Sequence, residues 1–185
     1  MRKVIVFNQV SLDGYFTDDN NDMSWAHKHD PEWLDFVNGN AQGGGEALFG
    51  RKTYELMASY WPTPMAQQQA PIVAKAMNEM PKTVFSTTLQ VATWRNTRLV
   101  KEGLAAEVRR MKEAAGPDIV IMGSGSIVAQ LAQEGLIDEY QLVVNPIVLG
   151  QGRTLFEGLR KKQALRLTGN RVFQNGNVLL IYEPA

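Results

Sequence analysis

The stretch "IVIMGSGSIVAQLAQEGLIDEYQLVVNPIVLGQG", Ile119 to Gly152, decides how this chain folds. Its apolar opening reads as a strand that runs into Gly123-Ser124-Gly125-Ser126, and Ser126 to Glu134 then carries helical spacing. "EYQLVVNPIVLG" reads as a second strand with Pro146 near its far end. Strand, tight turn, helix and strand in that order form a crossover unit of an α/β sheet. Two glycine clusters, Gly123/Gly125 and Gly150/Gly152, raise the question of what needs backbone so bare in both places.

The same alternation extends outward in both directions. Val4 to Phe7 is a β-branched apolar run suited to a strand buried on both faces, and Asp13-Gly14 supplies turn chemistry after it. Thr17 to Asp30 is polar and reads as a loop anchored by Met23 and Trp25. Asp30-Pro31-Glu32 has the cap, proline and acid of a helix start, with Trp33, Leu34, Phe36 and Val37 as its apolar stripe and Gly39 to Gly45 as its end. "EALFGRKTYELMASYW" passes from a strand through Gly50 into a helix with Leu56, Met57 and Tyr60 on one face, ended by Pro62 and Pro64. Residues 65–80 read as an irregular connection with one short helix. "KTVFSTT" and "TRLVK" read as strands, and Glu102 to Ala115 as a helix. In the tail, two strand-like runs meet at Asn175-Gly176, a dipeptide favoured in tight hairpins.

Composition narrows the function classes. The 185 residues suit one domain, 1–185, and 19 basic against 19 acidic side chains give no overall field for nucleic acid or an anionic membrane. With no cysteine and two histidines, disulfides, thiolate sites and zinc chemistry fall away, so no metal site is expected. His27 and His29 sit in a polar loop. The run from Val4 to Phe7 is too short for a signal or membrane span, so a cytoplasmic protein is expected.

Three strand-to-loop junctions suit phosphate. Glycines at Gly123-Ser124-Gly125-Ser126 let amides approach a ligand at a helix N-terminus, where negative charge is favoured; a plain tight turn capped by Ser126 is the other reading. Gly50-Arg51-Lys52-Thr53 puts two cations at another helix start, against the helix dipole, and a bound anion would offset that conflict. The competing reading is two solvated side chains. Ser86-Thr87-Thr88 adds hydroxyl donors. Together the three fit a dinucleotide across the carboxyl ends of an open sheet.

"SLDGYF", "LFGRKTYE", "VFST", "MGSGSIVAQL" and "GLIDEYQLVVNPIVLGQGRTLFEG", closed by a hairpin, resemble in this order the dihydrofolate reductase-like family. The nearest branch is the reductase domain of bacterial riboflavin biosynthesis and its stand-alone relatives. The resemblance covers nearly the whole chain and is most specific from Gly135 to Gly158. It implies a three-layer α/β fold: a central mixed, mostly parallel sheet of about eight strands with flanking helices and a C-terminal antiparallel hairpin. It implies NADPH as hydride donor. Arg51, with Lys52, would hold the 2′-phosphate, Thr53 would meet the pyrophosphate with Gly50 among the cofactor-binding residues beside it, and Ser86 and Thr87 would line the adenosine ribose and its phosphate. Gly123, Ser124, Gly125, Ser126 and Ile127 would wrap the pyrophosphate and nicotinamide side.

On the substrate side the resemblance implies Trp25, Asn145 and Pro146, with Glu32 and Asp13 as catalytic candidates. For Glu32 the competing role is complementing the helix dipole, and for Asp13 it is turn duty. Leu149 to Gly152 either touches ligand or is a bend. The activity named within the family is reduction of 5-amino-6-(5-phosphoribosylamino)uracil. The acidic stretch Asp18 to Asp30 suits a phosphoribosyl group poorly, so the leading expectation is an NADPH-dependent reductase of a small heterocyclic or imine substrate. The alternatives are a dihydrofolate or pterin reductase and a non-catalytic NADP-binding sensor. The apolar closing hairpin, with the family's habit, implies a homodimer.

Overall fold

The structure, a computed structural model, describes all 185 residues. The strands are β1 (Val4–Ser11), β2 (Tyr15–Thr17), β3 (Glu46–Gly50), β4 (Lys82–Phe85), β5 (Thr97–Val100), β6 (Ile119–Met122), β7 (Glu139–Asn145), β8 (Arg153–Thr154), β9 (Leu165–Val172) and β10 (Val178–Pro184). The helices are α1 (Pro31–Gln42), α2 (Arg51–Tyr60), α3 (Pro64–Gln69), α4 (Pro71–Glu79), α5 (Leu104–Glu113) and α6 (Gly125–Gln133). One eight-stranded sheet has the order β5-β4-β3-β6-β1-β7-β10-β9, and β10 is its single antiparallel member. The expected three-layer α/β fold is the one found.

Chain order explains which helix covers which face. From β1 the chain steps to β3, β4 and β5 in one direction and then returns through β6 to β7. Right-handed crossovers therefore lay helices on opposite faces for the two halves. Burial agrees: Trp33, Tyr54, Val73 and Met77 of α1, α2 and α4 pack on one face, while Val108, Met111, Val128 and Leu131 of α5 and α6 pack on the other with Val4, Val6 and Ile121. At the far end, Leu165, Leu167 and Val172 of β9 stay exposed, Val172 by 68%.

Some elements depart from the sequence reading. Residues 65–80 form two helices rather than one, because Pro64 and Pro71 sit at first-turn positions that need no amide donor, and Thr63 caps α3 through the amide of Ala66. The core-facing side of α2 is Tyr54, Met57 and Ala58, continued by Trp61 just past its end, instead of Leu56, Met57 and Tyr60; Leu56 and Tyr60 are exposed. Gly39 lies inside α1, which runs on to Gln42. The tail turn is looser than a two-residue hairpin: Gly176 (φ +87°) donates to Phe173 O, and Phe173 N donates to Asn177 O. The second, two-stranded sheet of β2 and β8 carried no sequence signal.

Candidate functional site

Adjacent strands whose helices leave on opposite faces open a crevice between their loops, and open α/β sheets bind ligands there. The flanks of β6 meet that condition. On one side lies β3 with α2, on the other β1 with α1, while α6 leaves β6 on the opposite face. The carboxyl ends of β3 and β6 carry Gly50–Thr53 and Gly123–Ile127, so the fold brings two of the three phosphate-friendly junctions side by side.

They are stitched together by polar bonds. The Ser124 amide donates to Thr53 Oγ1 at 3.0 Å, and the Gly50 amide donates to Ser124 Oγ at 3.0 Å. From β1, buried Asn8 accepts the Gly123 amide on Oδ1 at 2.6 Å and donates from Nδ2 to Gly123 O at 3.4 Å. Gly123 (φ +59°) and Ser124 (φ +57°) are thereby held left-handed in succession, and a Cβ on Gly123 would stand 3.0 Å from the Thr53 side chain. Bare backbone in the first cluster serves close packing against Thr53 as well as any ligand.

This accounting locates what remains open. Gly123 and Ser124 spend their amides on Asn8 and Thr53, and those of Ile127 and Val128 bond Ser124 O. Gly125 and Ser126 occupy the first two positions of α6, whose amides have no partner within the helix. Ser126 is exposed, whereas Ser124, Gly125 and Ile127 are buried. Ser124 is the residue at the cap position, not Ser126, and its hydroxyl points its own proton to Met122 O.

Across the crevice Arg51 pairs with Glu55 one turn on, at 3.0 Å, and Lys52 is exposed. A glutamate partner thus offsets part of the charge that conflicts with the α2 dipole. Ser86 closes its own turn by accepting the amides of Thr88 and Leu89, and Thr87 is exposed beside it.

On the side of β1 and β7 both carboxylate candidates are already engaged. Asp13 accepts Ser11 Oγ at 2.6 Å, Gly150 N at 2.7 Å and Leu149 N at 3.1 Å. The Ser11 hydroxyl foremost, then the two amides, hold its carboxyl at about 2. Asp13 is therefore a clamp between the loops after β1 and β7. Glu32 accepts Gln174 N at 2.8 Å and Arg171 at 3.1 Å, which lower its pKa in that order. Asp30 caps α1 through Trp33 N and accepts Asn175 Nδ2, so the first turn of α1 is tied to the β9–β10 turn.

The second glycine cluster serves that clamp and a close backbone crossing. A Cβ on Gly152 (φ +151°) would lie 2.2 Å from Thr17 O. The β2–β8 pair it permits leans on the first cluster, since a Cβ on Gly125 would meet Phe16 and Thr154 O at 3.1 Å. Trp25 sits half-buried in a single 3-10 turn, Ser24–Ala26, and donates to Asp22 O. Asn145, expected to face substrate, is 1% exposed: its Nδ2 lies between Gln9, Val10 and Val143, while Pro146 is exposed. Its Oδ1 has no partner, and neither side-chain polar atom of buried Asn177 has one.

Asn8, Phe16 and Thr154 escaped the sequence reading. Asn8 left a trace, being a polar residue at an inward position of "VIVFNQVS", where the pattern calls for an apolar one. No group of three or more His, Cys, Asp or Glu is placed to hold a metal, and no helix is long and apolar enough to cross a membrane.

Comparison with known proteins follows this geometry. The family described as the RibD C-terminal domain matches residues 2–180. The uncharacterized protein YyaP of Bacillus subtilis (strain 168) is 29% identical over 183 residues, covering 98% of this chain and 94% of that protein. A crystal structure from Shewanella sp. PV-4, described as a candidate riboflavin biosynthesis protein, superimposes with TM-score 0.73 at 22% identity over 99% of both chains. A Thermotoga maritima structure described as a diaminohydroxyphosphoribosylaminopyrimidine deaminase/5-amino-6-(5-phosphoribosylamino)uracil reductase gives TM-score 0.67 at 12% identity. It is matched over 100% of this chain and 57% of that one. At these identities the two structures speak for the fold, and the family match carries the assignment: the chain belongs to the RibD C-terminal domain family.

Proposed function

We propose that the protein is an NADPH-dependent reductase that transfers hydride to a small heterocyclic or imine-bearing substrate. Family membership supports an oxidoreductase, and one observation carries the cofactor: the junctions at Gly50–Thr53 and Gly123–Ile127 face one crevice, with open amides on one side and two cations on the other. That donor set fits a dinucleotide phosphate. The amides of Gly125 and Ser126 would hold a pyrophosphate at the start of α6, and the Thr53 hydroxyl, already an acceptor for Ser124 N, keeps its proton to donate. Arg51 and Lys52 would take the 2′-phosphate, with Ser86 and Thr87 beside the ribose.

When bound, the dihydronicotinamide supplies the hydride, so the chain's own residues have only to orient and enclose. Asn8 holds the peptide at Gly123, the β2–β8 pair packs over Gly125, and the Asp13 clamp fastens the loops that would shield the reacting atoms from water. Titration calorimetry with NADPH, followed by loss of nicotinamide absorbance against a panel of cyclic imines, tests the reading. Oxidation supports a reductase. Binding without oxidation across the panel would favour a sensor, and no heat at millimolar NADPH with a folded protein would reject both.

We further propose that two copies pair through the exposed apolar positions of the β10–β9 hairpin, Leu165, Leu167 and Val172. A long edge strand left open in this way is covered in most stable proteins.

A further inference from the structure

We infer that the Asn175–Gly176 peptide is a site of spontaneous covalent modification, at which Asn175 deamidates, and that the tie from Asn175 to Asp30 sets the rate. The inference is independent of the reductase reading.

An asparagine followed by glycine is open to attack on its side-chain carbon by the next backbone nitrogen, because glycine has no Cβ to hinder the approach. The chain has two such pairs in matched surroundings, Asn38-Gly39-Asn40 and Asn175-Gly176-Asn177. Gly39 lies inside α1, where helical geometry commits its amide to the carbonyl one turn back. Gly176 stands exposed in the β9–β10 turn, and its amide is held by a bond to Phe173 O at 3.0 Å. The fold itself calls for both residues of the second pair. A Cβ at position 176 would come within 3.2 Å of Pro146 Cγ on backbone at φ +87°, so the turn needs glycine. Asn175 closes the turn by accepting Asn177 N at 2.9 Å, and it reaches α1 by donating from Nδ2 to Asp30 Oδ2 at 2.7 Å.

Those two bonds occupy both ends of the Asn175 amide, so attack waits for the turn to open. The bond to Asp30 is the stronger because its acceptor is charged. Trp33 N first, and then Asn175, hold the Asp30 carboxyl below the ordinary carboxylate range. In the opened turn Gly176 N gives its proton to solvent, and its electron pair forms a bond to Asn175 Cγ. The Cγ–Nδ2 bond breaks, and the nitrogen leaves as ammonia after taking a proton from water. Water then opens the cyclic imide: attack at Cγ gives aspartate, and attack at the main-chain carbonyl carbon gives an isoaspartyl linkage. One water is consumed for each ammonia released, and nothing is oxidised or reduced.

Either product replaces a donor facing Asp30 with a carboxylate. Like charges then stand where a 2.7 Å hydrogen bond stood, with Glu32 a further acid in the same turn of α1. The fastening between α1 and the hairpin opens where Trp33 meets Phe173 edge-on. Reclosure cannot restore it, since the amide is gone.

The test is to age the whole protein in mildly alkaline buffer and weigh its peptides over time. In the folded protein Asn175 is expected to convert at least about tenfold faster than Asn38, whereas in the urea-unfolded chain the two convert alike. Asp30→Asn keeps an oxygen to cap Trp33 N and removes the charged partner of Asn175; it should speed Asn175 about three- to tenfold and leave Asn38 unchanged. A readout on the wild type alone comes from the aged fraction, separated by its extra negative charge. Its Gln174 amide, held by Glu32 at 2.8 Å in the fresh protein, should exchange with deuterium faster, and Asn175→Asp should reproduce that loss. Conversion of Asn175 no faster than Asn38, acceleration of both sites together or of neither in Asp30→Asn, or undiminished protection of Gln174 in the aged fraction would each overturn the inference.

Discussion

Replacing Arg51 tests the cofactor assignment most directly, because the structure gives its guanidinium a competing partner. Arg51 Nη1 bonds both Glu55 oxygens, at 3.0 and 3.2 Å, on the exposed face of α2. Pairs of this i,i+4 kind contribute about 0.3–0.5 kcal/mol. A hydrogen bond to a charged phosphate contributes about 1.5–3 kcal/mol, so a 2′-phosphate should draw Arg51 from Glu55 with roughly 1–2.5 kcal/mol to spare. Arg51→Ala should therefore weaken NADPH about 10–100-fold and leave NADH within about twofold, since NADH lacks the 2′-phosphate. Glu55→Gln removes the competitor and should tighten NADPH about twofold, a gain that vanishes in the Arg51→Ala background. Calorimetric titration of both nucleotides against the four proteins measures the cycle. Folding should not confuse it, because a cation in the first turn of α2 opposes the helix dipole. Equal losses for NADPH and NADH, or a Glu55→Gln effect that persists without Arg51, would refute the assignment.

Other consequences can be checked independently. Gly152→Ala should destabilise the protein by about 2–4 kcal/mol and lower Tm by ~5–15 °C, because its Cβ would meet Thr17 O in a backbone region closed to alanine; an unchanged melt would contradict this. Asp13 has its pKa lowered to about 2, so its clamp stabilises fully above the ordinary carboxylate range and is lost as pH falls through about 2. Asp13→Asn should accordingly melt lower than wild type at neutral pH, with the two converging between pH 4 and pH 2. A gap independent of pH would show that the charge is not involved. Light scattering should give about twice the 20.6 kDa chain mass if the β9 face pairs two copies, and Leu167→Lys should return it to the single mass. A clean wild-type monomer would reject that pairing.

Much of the fold was legible because parallel strands buried on both faces are continuous apolar runs, as in Val4–Phe7 and Ile119–Met122, and because glycine or proline punctuates their ends. The first glycine cluster and the Gly50 junction were legible as neighbours because strand order follows from crossover logic. The β2–β8 pair was not, since three residues against two leave no period to detect. Proline misled at residues 64 and 71, where it starts a helix, because one residue signals both a stop and a start. The carboxylates misled in another way. Asp13 and Glu32 sit where a proton donor would be sought, but only coordinates reveal that the amides of Leu149, Gly150 and Gln174 and the Arg171 guanidinium, all more than a hundred positions away, have already claimed them.

The polar bonds that stitch the cleft together bear on its chemistry as well as its shape. Each hydrogen bond that fastens a loop consumes a donor or acceptor a ligand could have used. Asn8 and Thr53 take the amides of Gly123 and Ser124, which leaves those of Gly125 and Ser126 without a partner at the start of α6. On the far side the same logic removes the acids: Ser11, Leu149, Gly150, Arg171 and Gln174 keep Asp13 and Glu32 ionised. A proton for hydride transfer to a neutral C=N group would therefore have to come from solvent and not from Asp13 or Glu32.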